Sequence, residues 1–136
     1  RPEPAIRHYS GIATYRKTFE VSADLGAAAR GERTFLDLGG VQHLARVRLN
    51  GRDLGVVWCA PWQVETTGAL RSGMNELEIE VANLWINRLI GDAGLPESQR
   101  RTWTSVNPYT ADAPLIPSGL LGPVRIHRAT PAEAGS

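Results

Sequence analysis

Apolar and polar residues alternate with a period of two over much of this chain, the spacing of strands with one buried and one wet face. From Ile12 to Val21, Ala13, Tyr15, Lys17, Phe19 and Val21 share one face, and Ile12, Thr14, Arg16 and Thr18 share the other. Thr34 to Leu38 is a second predicted strand, closed by Gly39-Gly40. Ala45 to Leu49 alternates strictly with Arg46 and Arg48 outward, and Asn50-Gly51 follows directly. Asn-Gly accepts the positive φ angles of a type I′ turn, so Leu54 to Cys59 is read as the returning strand of a hairpin. Pro61 to Val64 is a short strand after a proline break, and Thr66 to Gly73 is a turn ended by glycine. Leu77 to Val81 alternates with Glu78 and Glu80 outward, and Val124 to Arg128 closes the set. Ala23 to Arg33 is small and polar, a connecting loop. No helical period persists over three turns. The pattern predicts an all-β sandwich of about eight antiparallel strands. One domain over residues 1–128 is expected, followed by a flexible small-residue tail at 129–136.

Two stretches break the alternation. Asn83-Leu84-Trp85-Ile86-Asn87-Arg88-Leu89-Ile90-Gly91-Asp92 reads as a loop rich in aromatic, amide and charged groups. Residues 91–119 hold Pro96, Pro108, Pro114 and Pro117 and no periodicity. A loop that long inside one domain is functional or packed on a partner.

Composition narrows the classes. With 15 Lys+Arg against 14 Asp+Glu the charge is nearly balanced, which removes the basic stripe that nucleic acid requires. No apolar run approaches the roughly 20 residues of a membrane span. The chain opens on Arg1 without a signal-peptide pattern, the mark of a mature or excised piece. A single cysteine, Cys59, excludes an internal disulfide and reads as a small core residue at a strand end.

Catalytic constellations find little support. Glu78 and Glu80 stand roughly 7 Å apart on one strand face, near the carboxyl spacing of an inverting glycosidase. Alternation alone explains them, and an acid of raised pKa needs burial that a wet face lacks. Ser10, Ser105 and Ser118 sit beside turn residues without a nucleophile elbow, and His8, His43 and His127 are scattered without metal-ligand spacing. No catalytic residue is assigned, and the chain is read as no enzyme by itself.

Binding chemistry is better represented. A sugar site needs a flat apolar surface for the pyranose C–H face, with donors and acceptors for hydroxyls at its margin. Trp85 or Trp103 could supply the surface, and Asn87, Arg88, Asp92, Asn107 and Tyr109 the margin. Trp58 and Trp62 read as core or rim packing. The competing reading is an apolar patch of Trp85, Leu89 and Ile90 that docks a neighbouring domain, with Arg88 pairing Asp92 four residues on. Arg100-Arg101 could hold the carboxylate of an acidic sugar, although adjacent loop arginines are more often simply solvated.

Several motifs resemble a known family. Gly11-x-Ala13-x-Tyr15-Arg16-x-x-Phe19, Leu36-Asp37-Leu38-Gly39, Ala45-x-Val47-x-Leu49-Asn50-Gly51-x-x-x-Gly55 and Gly73-x-Asn75-x-Leu77 resemble the galactose-binding-like jelly roll of family-two glycoside hydrolases. Asn83-Leu84-Trp85-x-Asn87-Arg88-Leu89-Ile90-Gly91-Asp92 and Pro117-Ser118-Gly119-Leu120-Leu121-Gly122-Pro123-Val124 resemble the C-terminal β-sandwich of bacterial α-L-rhamnosidase-type glycosidases. The resemblance implies a jelly-roll module whose catalytic residues sit on a separate barrel. It implies a carbohydrate ligand or neighbouring glycosidase domains as partners, and a secreted or periplasmic enzyme. It also admits a structural calcium ion, to which Asp92 or Asp112 could contribute. The favoured expectation is a non-catalytic carbohydrate-binding module. The alternative is an accessory domain that packs on the barrel and completes its active site.

Overall fold

The computed structural model describes residues 4–26 and 32–129. A short helix α1 (Pro4–Arg7) precedes β1 (Gly11–Val21), and α2 (Ala23–Gly26) follows it. Then come β2 (Arg33–Asp37), β3 (Gly40–Val41), β4 (Leu44–Leu49), β5 (Arg52–Val57), β6 (Gln63–Glu65) and β7 (Gly73–Asn83). Helix α3 (Ile86–Ala93), β8 (Leu120–Gly122) and β9 (Arg125–Ala129) complete the order. One antiparallel sheet runs β1-β7-β4-β5, a second runs β6-β2-β9, and β3 pairs with β8 in a short ribbon. The result is an all-β sandwich, with nine strands among the described residues. Its last strand includes residue 129, and the remainder of the expected tail lies outside the described residues.

The alternation sets the layers. Ala45, Val47 and Leu49 of β4 and Leu77, Ile79 and Val81 of β7 are buried and face Leu36, Val64 and Ile126 of the other sheet. Each fully buried aliphatic side chain of this size contributes about 1.5–3 kcal/mol against exposure. The outer face of the larger sheet carries ions instead. Glu78 lies between Arg16 on β1 and Arg48 on β4, with N–O distances of 2.6 and 2.7 Å. Both arginines hold its carboxyl below the usual carboxylate range, so it stays an anion. Arg46 pairs with Asp53 at 2.5 Å on the same surface.

The expected hairpin forms. Asn50 and Gly51 both take positive φ, 53° and 78°, and join Leu49 to Arg52. Asn50 also donates from Nδ2 to the Ala69 carbonyl at 2.9 Å and to Asn75 Oδ1 at 2.8 Å. Asn75 is buried with all four side-chain positions used: Oδ1 also accepts from the Arg71 amide, and Nδ2 donates to the Arg71 and Gly73 carbonyls. Two motifs distant in sequence thus lock one corner of the sandwich. At another corner Gly39 takes φ +66°, and a Cβ there would lie 2.5 Å from the Gly122 carbonyl carbon. Only glycine permits that approach.

Four readings need correction. Residues 86–93 are a helix, because Ile86, Leu89, Ile90 and Ala93 recur at helical spacing over two turns. Residues 23–26 form a helical turn rather than loop. Cys59 is exposed, outside the core. Trp58 is 72% exposed, because it follows the end of β5 at Val57, where the chain leaves the sheet.

Candidate functional site

The region singled out for chemistry is α3 with the long segment that follows it. β7 ends at Asn83, and Leu84-Trp85 turns the chain into α3, whose first helical bond runs from the Leu89 amide to the Trp85 carbonyl at 2.8 Å. The polar residues of α3 point into the domain. Asn87 is 3% exposed and meets Ile116 twice, its Nδ2 donating to the carbonyl and its Oδ1 accepting from the amide, at 2.8 and 2.9 Å. A side-chain amide thereby takes the place of a strand partner for one residue of the long loop.

Asp92, 1% exposed, has no free oxygen. Its Oδ1 accepts from Arg88 at 2.5 Å. Its Oδ2 accepts from the amides of Arg101 and Thr102 at 3.1 and 2.8 Å and from the Thr102 hydroxyl at 2.6 Å. Burial pushes this carboxyl up, but the Thr102 hydroxyl and amide together with Arg88 outweigh it, and the net shift is downward. Asn107 donates to the Leu89 carbonyl at 2.9 Å and accepts from the Tyr109 amide at 3.1 Å. Arg100 Nε donates to the Leu95 carbonyl at 3.0 Å. Segment 95–119 has one short 3-10 turn at Glu97–Gln99 and otherwise depends on these ties.

His8 covers α3 from outside. A Cβ on Gly91 would meet its Cγ at 2.7 Å, so glycine is required for that packing. Burial chiefly, then Arg7 and Arg88, lower the imidazole pKa against the pull of Asp92, and favour the neutral ring.

The aromatic residues stand apart from these ties. Trp85 is 63% exposed and Trp103 is 86% exposed, with Leu84 and Val106 also bare. Ile90 is buried in the domain and Leu89 is half-buried, so the apolar patch expected from Trp85, Leu89 and Ile90 is not the exposed one. What segment 84–109 presents is Leu84, Trp85, Trp103 and Val106 on a scaffold pinned from beneath. Of the residues read as a sugar margin, Asn87, Arg88, Asp92 and Asn107 are bonded internally, and the Tyr109 amide is tied to Asn107.

The same bonds bear on calcium. Asp92 is saturated by protein donors, and Asp112 lies exposed with its carboxyl held low, first of all by the Thr110 hydroxyl. Among the described residues no group of three or more His, Cys, Asp or Glu could hold a metal ion. No helix among the described residues is long and apolar enough to cross a membrane.

A second surface escaped the sequence reading. Tyr15, Lys17 and Phe19 of β1, with Leu120 and Ile126, line a cleft of about 540 Å³ between the two sheets. The signal available was Lys17, a charge placed among Tyr15, Phe19 and Val21 on the inward face of its strand.

Residues 8–106 match the glycosyl hydrolase 2 galactose-binding domain-like family, and the chain belongs to that family. A rhamnosidase from Novosphingobium sp. PP1Y superposes with a TM-score of 0.84 and 47% identity, over 95% of this chain and 12% of that one. A Formosa agariphila protein called "Putative beta-glucuronidase" is 37% identical over 90% of this chain and 12% of its own length. A β-glucuronidase from an uncultured Clostridium sp. shares the fold, with a TM-score of 0.52 over 62% of this chain and 14% of that one. The chain thus spans about one-eighth of the length of the first two relatives.

Proposed function

We propose that this chain is a non-catalytic accessory domain of a larger glycoside hydrolase of the rhamnosidase type. Its pinned segment 84–109 packs against the rest of that enzyme. One observation carries the reading: the Asn87, Arg88, Asp92 and Asn107 side chains, four of the groups read as a sugar margin, are hydrogen-bonded inside the domain beside exposed Trp85 and Trp103, so they are not turned outward to meet hydroxyls. A sugar site specifies its ligand through such groups, and leaving them unmet costs affinity. A docking face needs aromatic and aliphatic anchors with a polar rim, and Trp85, Trp103, Leu84 and Val106 are of that kind. The larger enzyme's reaction is assigned to another part of the polypeptide. Of the Glu78–Glu80 pair, Glu78 is neutralised by two arginines and Glu80 lies 3.7 Å from one of them, Arg48.

A second reading, in which Trp103 stacks on a sugar, draws on its 86% exposure. One pair of experiments separates the two. In the full-length protein, Trp85→Ala and Trp103→Ala are expected to lower the unfolding temperature. In the 136-residue chain the same changes shift stability by no more than about 0.5 kcal/mol. Amide NMR of that chain is expected to stay unmoved by rhamnose, galactose or glucuronic acid at about ten times a millimolar Kd. Saturable shifts over residues 100–109, abolished by Trp103→Ala, would replace docking with sugar binding.

A further inference from the structure

The sandwich is closed along one flank and open along the other. On the closed side residues 58–62 carry the chain directly from β5 to β6, where Val57, Trp62 and Val64 pack together. On the open side β1 pairs with β7 alone and β9 with β2 alone among the described residues. β1 is 11 residues long, so its unpaired edge spans about 36 Å.

Beneath that edge the core is incompletely covered. Phe19, Leu36, Leu77, Ile79 and Ile126 line the cleft of about 540 Å³ facing β9. A second cleft of about 770 Å³ continues along the other half of β1, beside Ala13, Ile116 and Leu121. Tyr15 and Leu120 border both, the Leu120 amide donating to the Tyr15 hydroxyl at 3.4 Å. A long free edge beside an apolar cleft is a template for another strand. A cavity of about 150 Å³ holds a benzene ring, so the smaller cleft has room for about three bulky side chains.

Lys17 specifies the occupant further. It stands opposite buried Leu77 in the β1–β7 register, which places it on the inward face. Among the described residues no carboxylate pairs with it or with Arg125 across the cleft. An inward-pointing charge on an edge repels indiscriminate strands, and only a segment bringing an opposite charge satisfies it.

We propose that an extended segment of the same polypeptide, outside residues 1–136, pairs with the free edge of β1. It fills the cleft toward β9 with alternate apolar side chains and sets an aspartate or glutamate beside Lys17. The proposal rests on the chain being one domain of a larger enzyme, whose relatives leave nearly nine-tenths of their length for such a segment. A second copy of this chain is the poorer occupant. Full antiparallel pairing of two β1 strands centres on Arg16, opposes the two Arg16 side chains, and puts Tyr15 rather than an acid against Lys17.

Amide hydrogen exchange and carbodiimide cross-linking of the full-length protein test this. The β1 amides pointing away from β7 are expected to exchange at least about 100-fold more slowly than those of residues 103–106. Carbodiimide is expected to join Lys17 to a carboxylate outside residues 1–136, and Lys17→Glu to lower the unfolding temperature while abolishing that product. Fast exchange along the β1 edge would overturn the proposal. So would a Lys17 cross-link within residues 1–136, or one joining two copies. Failure here is separable from failure of the docking reading. Protected β1 amides with no effect of Trp85→Ala and Trp103→Ala remove only the docking face, and the reverse pattern removes only the strand.

Discussion

Asp92 shows how a single side chain organises this domain. It accepts four hydrogen bonds from three residues, and one of these is Arg88, whose side chain is 14% exposed. Removing one partner of a buried ion pair strands the other charge, so Asp92→Ala is expected to destabilise the chain by about 3–5 kcal/mol in chemical denaturation. Gly91 tests a different force. A methyl there would strike His8 at 2.7 Å, and the expected cost is about 1–3 kcal/mol. The double variant Gly91→Ala/His8→Ala should lose less than the sum of the singles, and strict additivity in that cycle would show that the contact does not matter. Asn75→Ala would leave two Arg71 backbone groups, the Gly73 carbonyl and the Asn50 amide without their partner, at an expected cost of about 3 kcal/mol. These residues were visible as polar positions in the sequence. Arg88, four residues from Asp92, was legible as its partner, but the other partners of Asp92 and Asn87 lie 9 to 29 residues away, and no local pattern names a partner at that separation.

Among the elements, the β4–β5 hairpin was the most legible, because alternation and Asn50-Gly51 fix faces and turn within a dozen residues. Helix α3 was not. It spans 8 residues, contains Asn87 and Gly91, and has no side-chain N-cap, so its local signals are weak. It persists because Ile90 joins the interior and its amide and carboxylate groups tether the following segment. That tether has a defined pH dependence. The folded-state pKa of Asp92 lies below its ordinary value, so its stabilisation is complete above an unfolded-state pKa of about 3.9. It is lost as pH falls through the lower, folded value. Trp103 fluorescence and the amide shifts of residues 100–109 should therefore move only below about pH 4. In Asp92→Asn that acid transition should be missing, and an unchanged transition would assign it to another carboxylate.

At the scale of the whole molecule, the two sheets meet along β5 and β6 and part along β1 and β9. The domain therefore offers two separate faces, the tryptophan-bearing segment and the open flank. The proposed accessory role would use both, one by side-chain docking and one by strand addition. The core should be the less negotiable part. Leu36→Ala, which removes a buried side chain adjoining the open cleft, is expected to cost about 2–5 kcal/mol by denaturation of the 136-residue chain. A cost well under that range would mean that the cleft wall already relaxes in the isolated chain.

By itself the sequence determined seven of the nine described strands, the hairpin turn and the all-β class, because a period of two and a two-residue turn are local properties of the chain; the short β3–β8 ribbon carries no such period and was not legible in it. It also carried the glycines and asparagines of the family motifs. Tertiary structure alone decided what the polar groups of segment 83–109 do, since a buried Asn or Asp and a ligand-binding one look alike until their hydrogen-bond partners are in place. It alone decided that Ile90 turns inward while Trp85 and Trp103 stay bare. It also decided that β1 is an edge, because strand order depends on pairings between residues more than 60 apart, such as Arg16 with Glu78.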